Sequence, residues 1–203
     1  PGAGELNCAF HAPSIDNARV QSVRHTDREW IAFHNKYAHG EGGYDAAIRV
    51  VPRGGRVESD GERIRVSGAD EALALMKIAP FGTADQSSMD GLKDALKRLP
   101  ADYANLLRSH AQEHGEMFNR VALDLGASKD ERRLASEQLI ERAKAAGHRQ
   151  VPAALLEKLY DASRFYFIAS AGELPPNLQG KWNGDWEPAW ASDYHLDINL
   201  ETA

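Results

Sequence analysis

The sequence predicts an α+β protein in which an antiparallel β region comes first and helices follow. Three observations carry that expectation. Up to about residue 85 the apolar residues come in short or alternating runs bounded by glycine turns. From Ser87 they recur at helical spacing instead. From Leu174 onward both patterns break, and three of the four tryptophans fall within nine positions among amides, carboxylates, Pro and Gly.

In the β portion, residues 1–85, Trp30-Ile31-Ala32-Phe33 and Ala47-Ile48-Arg49-Val50-Val51 read as strands. His25, His34 and His39 lie in this portion and read as packing or surface residues. Gly40-Glu41-Gly42-Gly43 leads into no helix, so it reads as a loop rather than a phosphate cradle. Arg53-Gly54-Gly55-Arg56 is a turn. Val57-Glu58-Ser59 and Arg63-Ile64-Arg65-Val66 flank Asp60-Gly61, a hairpin signal. Ala72 to Ile78 is ambiguous by composition, but its place between Gly68-Ala69-Asp70 and Pro80 favours a strand.

Residues 86–150 read as a helical linker. Met89, Leu92, Ala95, Leu96 and Leu99 keep helical spacing up to Pro100. Asp102 to Asn119 is expected as a longer helix, with Tyr103, Leu106, Leu107, His110 and Phe118 on its apolar side. His110 and His114 stand four apart but lack a third ligand, so they read as a packed or solvated pair. Asp130 to Lys144 is expected as one amphipathic helix carrying Leu134, Leu139 and Ile140, and Gly147 stops it. In the last segment, 151–203, Pro152 opens a helix that Leu155, Leu156, Leu159, Tyr160, Ser163, Phe167 and Ser170 continue to Gly172.

The 203 residues allow one large or two small domains, and a 42% hydrophobic, 27% charged composition is that of a soluble globular protein. A net charge of −6 argues against nucleic acid or an anionic membrane as partner. Cys8 stands alone, which rules out an internal disulfide and suggests a small buried thiol. No apolar run is long enough to cross a bilayer, and no signal-peptide pattern opens the chain. The serines lack a nucleophile-elbow context.

Large aromatic surface in a loop must be buried or used. Flat rings among convergent polar groups suit a sugar, with its apolar C–H faces and hydroxyl edges. After the aromatic loop, His195, Asp197, Asn199 and Glu201 alternate with Leu196, Ile198 and Leu200. In an extended chain the aliphatics would anchor one face, and the polar residues would project from the other about 7 Å apart. That spacing suits the holding of one water or hydroxyl. The same alternation also fits an ordinary half-buried strand with one wet face. A metal site from His195, Asp197 and Glu201 lacks a second ligand cluster, so no metal and no cofactor is expected.

Leu174, Pro175, Asn177, Leu178, Gln179, Gly180, Trp182 and Asn183, followed by His195, Asp197, Asn199 and Leu200, resemble the two linked motifs of glycoside hydrolase family 95. Its best-known members are α-L-fucosidases, with α-L-galactosidases beside them. The resemblance extends more weakly upstream. Ile48 to Ala79 is similar to the last strands of the family's N-terminal β-domain, His110 to Gly126 to its helical linker, and Tyr160 to Ser170 to the first helix of its catalytic barrel. The resemblance implies that residues 1–85 are part of a β-sandwich and that 151–203 begin an α/α barrel that continues beyond the chain. It also implies a periplasmic or secreted parent.

The resemblance further implies an inverting exo-glycosidase acting on a terminal α-linked sugar of an oligosaccharide or glycoconjugate. Asp197 and Asn199 would be its catalytic residues here, with Asp197 positioning or deprotonating the attacking water. His195, Trp182 and Asn183 would bind substrate. The family has Asn where this chain has Asp197, a stronger acceptor that can itself take a proton. The family's general acid comes from later barrel segments, so the chain alone is expected to be inactive. Two other functions fit the same residues: a non-catalytic carbohydrate-binding module, and a structural domain whose tryptophans plug an interface. A barrel helix without its neighbours would expose an apolar face, so a homo-oligomer is also expected.

Overall fold

The computed structural model describes residues 4–147, 150–173, 175–185 and 187–195. The chain is α+β and divides into two compact units, Pro1–Leu107 and Arg108–Ala203.

The first unit holds strands β1 (Leu6–Phe10), β2 (Val20–Asp27), β3 (Trp30–Tyr37), β4 (Gly43–Arg53), β5 (Arg56–Ser59), β6 (Ile64–Ala69) and β7 (Glu71–Phe81), then helix α1 (Met89–Arg98). The strands make two antiparallel sheets, ordered β1-β6-β5 and β2-β3-β4-β7. Ile31, Phe33, Ala46 and Val50 from the larger sheet pack against Ile64, Val66 and Ala69 from the smaller, which is the core of a sandwich. On the other face Trp30, Ala47 and Leu75 pack against Leu92 and Leu96 of α1. A strand covered on both faces cannot alternate apolar with polar, which explains the unbroken run Trp30 to Phe33. Cys8 packs half-buried against the sandwich core.

The Asp60-Gly61 signal is a hairpin, pairing Ser59 with Ile64. Asp60 Oδ1 accepts from the backbone N–H of Arg63 at 2.8 Å and of Glu62 at 3.0 Å, and Gly61 takes φ +86. Those backbone donors, Arg63 first, together with the Arg65 guanidinium, lower the Asp60 carboxyl to about 2. The ambiguous segment Ala72 to Ile78 is strand, and it runs on through Pro80. β7 lies at the sheet edge, the place in a sheet where proline is tolerated.

Next come helices α2 (Tyr103–Phe118), α3 (Lys129–Arg132), α4 (Ser136–Ala145) and α5 (Ala153–Ser170). Two expectations need correction. α2 buries none of its residues, and Tyr103 and Leu107 of its expected apolar side are exposed. Its apolar residues are too sparse to form a continuous stripe. The single helix expected over Asp130 to Lys144 is two. Ala135 is extended, with its N–H bonded to Gln138 Oε1 at 2.9 Å, and the chain restarts there as α4. Leu139 is fully buried with Ala127, Ala143, Ala154 and Leu155, whereas Ile140 is exposed. Gly147 follows α4 with φ +63, the left-handed conformation that favours glycine at a helix end.

α5 is fixed near its start by a buried carboxylate. Glu157 takes a two-pronged bond from Arg132, Nε to Oε2 at 2.8 Å and Nη2 to Oε1 at 3.0 Å, and a third from the Leu125 N–H at 2.8 Å. The Arg132 guanidinium, and next the Leu125 N–H, lower its carboxyl to about 2. Toward the other end, Arg164 donates to the carbonyls of Met117 and Phe118, and Phe165 packs on the His114 ring at 4.9 Å. His110 and His114 are ring neighbours at 5.6 Å. Among the described residues, no three His, Cys, Asp or Glu are grouped to hold a metal, and no helix is long and apolar enough to cross a membrane.

Candidate functional site in the tryptophan loop

Ser163, Tyr166, Phe167 and Ser170 stand at i, i+3, i+4 and i+7 of α5, a spacing that puts them on one face of the helix. The loop after α5 folds back onto that face. Together they line a cavity of about 260 Å³ that Asn177, Gln179, Trp182 and His195 also border. This volume lies a little below the usual small-molecule range and suits a single sugar ring.

Trp182 is held from two directions. Its indole N–H donates to Ser170 Oγ at 3.0 Å, and the edge of Tyr166 meets its ring at 5.3 Å and 82°. Trp182 nevertheless remains 59% exposed, so its ring is oriented but uncovered. Gly180 makes this close approach possible. A Cβ there would come within 2.7 Å of Ser170 Oγ, and its φ of +59 disfavours any side chain.

The loop is closed on itself by its own polar groups. Leu178 N–H donates to the Asp193 carbonyl at 3.0 Å, Asn177 Nδ2 to Ser192 Oγ at 3.1 Å, and Gln179 Nε2 to the Ala189 carbonyl at 2.9 Å. Gln179 Oε1 is buried without a hydrogen-bond partner among the described residues. Trp190, Ala191 and Ser192 all adopt positive φ, between 50 and 57. Such a run is costly for residues with a Cβ and persists only where surrounding bonds hold it. It turns Trp190 outward, 78% exposed, with the His195 ring edge-on at 6.2 Å.

His195 Nδ1 lies 3.2 Å from the Asp193 carbonyl. A carbonyl only accepts, so Nδ1 carries the proton in that bond, and Nε2 of the neutral ring is left as an acceptor. The cavity thus offers an oriented indole face, amide groups and an imidazole edge.

Of the substrate-binding candidates, Trp182 and His195 border one cavity. Asn183 does not line it, and its Oδ1 instead accepts from the Asp185 N–H at 3.0 Å. Asp197 and Asn199, the catalytic candidates, lie outside the described residues, as does all of the alternating segment after His195. Tyr166 was not singled out from the sequence. Its signal is its helical spacing from Ser163 and Ser170.

A Ser–His–Asp group does occur, in the first unit, but its bonds run the wrong way for catalysis. Ser87 Oγ donates to the buried Asp45 Oδ2 at 2.6 Å, and His34 Nδ1 meets Asp45 Oδ1 at 2.7 Å. A nucleophilic serine needs the opposite imidazole nitrogen as its base. Asp45 also accepts the Ser88 N–H at 3.1 Å, which fastens the start of α1 to the sheet. His34 stacks on Phe81 at 5.3 Å, a packing role.

A sequence model of the glycosyl hydrolase family 95 catalytic domain matches residues 102–203. Alpha-L-fucosidase 2 of Arabidopsis thaliana is 33% identical over 164 residues, 74% of this chain and 19% of that protein. Probable alpha-fucosidase A of Aspergillus niger is 33% identical over 115 residues, 56% of this chain and 14% of that protein. Its namesake in Aspergillus oryzae is 36% identical over 101 residues, 48% of this chain and 14% of that protein. The chain thus spans a fifth or less of the length of these relatives.

Proposed function

The chain belongs to glycosyl hydrolase family 95, and we propose that it forms one wall of the active site of an inverting exo-glycosidase that releases terminal α-L-fucosyl or closely related sugars. The observation that carries this reading is Trp182, exposed yet fixed by Ser170 and Tyr166 at the edge of a cavity that His195 also borders. A ring restrained in this way can stack on the C–H face of a sugar with little further loss of side-chain freedom.

Inversion needs an acid to protonate the leaving oxygen and a base that activates water on the opposite face of the ring. In this proposal Asp197 positions or deprotonates that water. Asn199 and His195 hold it or the sugar hydroxyls, and Trp182 forms the pocket wall, with Asn183 tying the adjoining loop through the Asp185 N–H. The general acid comes from barrel segments outside these 203 residues. A polypeptide of these residues alone therefore hydrolyses no glycoside, and measurable turnover by it would sink this part of the proposal. Leu156, Leu159 and Phe165 are exposed on α5, so the same polypeptide should self-associate. A monodisperse monomer in light scattering would argue against that.

The deciding experiment uses the full-length enzyme with p-nitrophenyl α-L-fucoside, α-L-galactoside and other glycosides, comparing wild type with Asp197→Asn. Turnover of one glycoside that changes with Asp197 supports the assignment. No turnover of any glycoside by wild type would favour a non-catalytic carbohydrate-binding role.

A further inference from the structure

A second cleft, of about 420 Å³, lies wholly within the first unit. Val51 and Leu73, both partly packed into the sheet–helix core, line it with apolar surface. Tyr103, at the start of α2, also lines it and is 59% exposed. Arg53 and Glu71 lie directly opposite each other on β4 and β7, and Arg53 Nη2 stands 3.2 Å from Glu71 Oε2. Asp102 completes the polar lining.

These groups suit a particular chemistry. Arg53 and Glu71 neutralise one another, and Asp102 leaves the lining one net negative charge, so the cleft does not attract an anion. The pair instead presents donors and acceptors side by side. A hydroxyl both donates and accepts, so two neighbouring hydroxyls can take bonds from the guanidinium and give bonds to Glu71 and Asp102. An exposed aromatic ring above an apolar lining meets the C–H face of the same molecule. The volume falls within the range of small-molecule sites and exceeds that of the tryptophan-loop cavity.

We propose that this cleft is a second saccharide-binding site for a neutral pyranoside, with Tyr103 as platform and the Arg53–Glu71 pair as hydroxyl clamp. It is separate from the tryptophan-loop cavity and does not rest on the glycosidase reading. Its role is to hold a sugar without cleaving it.

The test is titration of the isotope-labelled chain with methyl β-D-galactopyranoside, methyl β-D-glucopyranoside and methyl β-D-xylopyranoside, followed by amide chemical shifts. At least one of them should move the resonances of Leu73, Glu71 and Tyr103 at millimolar concentration. Tyr103→Ala should weaken that binding about tenfold, while Tyr103→Phe, which keeps the ring, should retain it. Arg53→Gln should weaken it as well, and Trp182→Ala should leave it unchanged. Tyr103 and Arg53 are exposed, so a matching amide spectrum without sugar will establish that each variant folds. No shift at the cleft with any of the three sugars would overturn the proposal, as would binding indifferent to Tyr103→Ala or binding lost in Trp182→Ala.

Discussion

Trp30 and Trp182 carry the same side chain and serve opposite ends. Trp30 is enclosed between the four-stranded sheet and α1, with Ala47, Leu75, Leu92 and Leu96 around it. Trp182 is fixed by one hydrogen bond and one edge contact, and most of its surface stays open. The sheet recruits its tryptophan by area buried, which is non-directional and large. The loop recruits its own by orientation, through Ser170 and Tyr166, and leaves the apolar face unspent. A ring whose stabilisation was already complete in the folded chain would have little left to give a ligand.

The widest separation between the two should appear on truncation. Trp30→Ala should cost about 3–5 kcal/mol, the range for removing a large aromatic from a core. Trp182→Ala should cost no more than about 1 kcal/mol, because an exposed ring creates no cavity. Urea unfolding followed by circular dichroism measures both, and equal losses would erase the contrast.

Gly180→Ala tests the loop's reliance on orientation. The added Cβ meets Ser170 Oγ in a left-handed backbone, and a cost of about 1–2 kcal/mol is expected. The variant should also alter Trp182 emission as the bond to Ser170 is displaced. Unchanged stability and emission would mean that Ser170 does not fix the ring.

The last and smallest difference is in acid sensitivity around α5. Glu157 has its carboxyl lowered from the ordinary 4.5 to about 2. A lowered folded value contributes stability that is fully present above about pH 4.5 and is lost as pH falls toward 2. Glu157→Gln should therefore flatten the stability profile across that window while lowering stability at neutral pH. A variant that remains as acid-sensitive as wild type would show that other carboxyls, such as Asp60, govern the loss.

Much of the first unit was legible because its signals are local. Asp60-Gly61 declares a hairpin through its own side chain and a positive φ. In the second unit, Pro152 and Gly147 likewise mark helix ends by backbone chemistry. α2 misled in part, since helical spacing of Tyr103, Leu106 and Leu107 does not say that only Leu106 finds a partner while Tyr103 and Leu107 stay exposed. The break at Ala135 was invisible because Ala is a strong helix former, and the Gln138 side chain that caps the new start acts only once folded.

By itself the sequence determined the family, the order of strands then helices, and the cluster of tryptophans with its linked polar motif, all of which are properties of residues near one another along the chain. Only the tertiary structure decided that the run Trp30 to Phe33 is covered on both sides, that Tyr166 and Ser170 aim Trp182, and that Arg53, Glu71 and Tyr103 share one cleft. These depend on contacts between residues far apart in sequence or on the side chains a folded helix face presents. Periodicity shows which face of an element is apolar, and only the packing of the chain shows what that face meets.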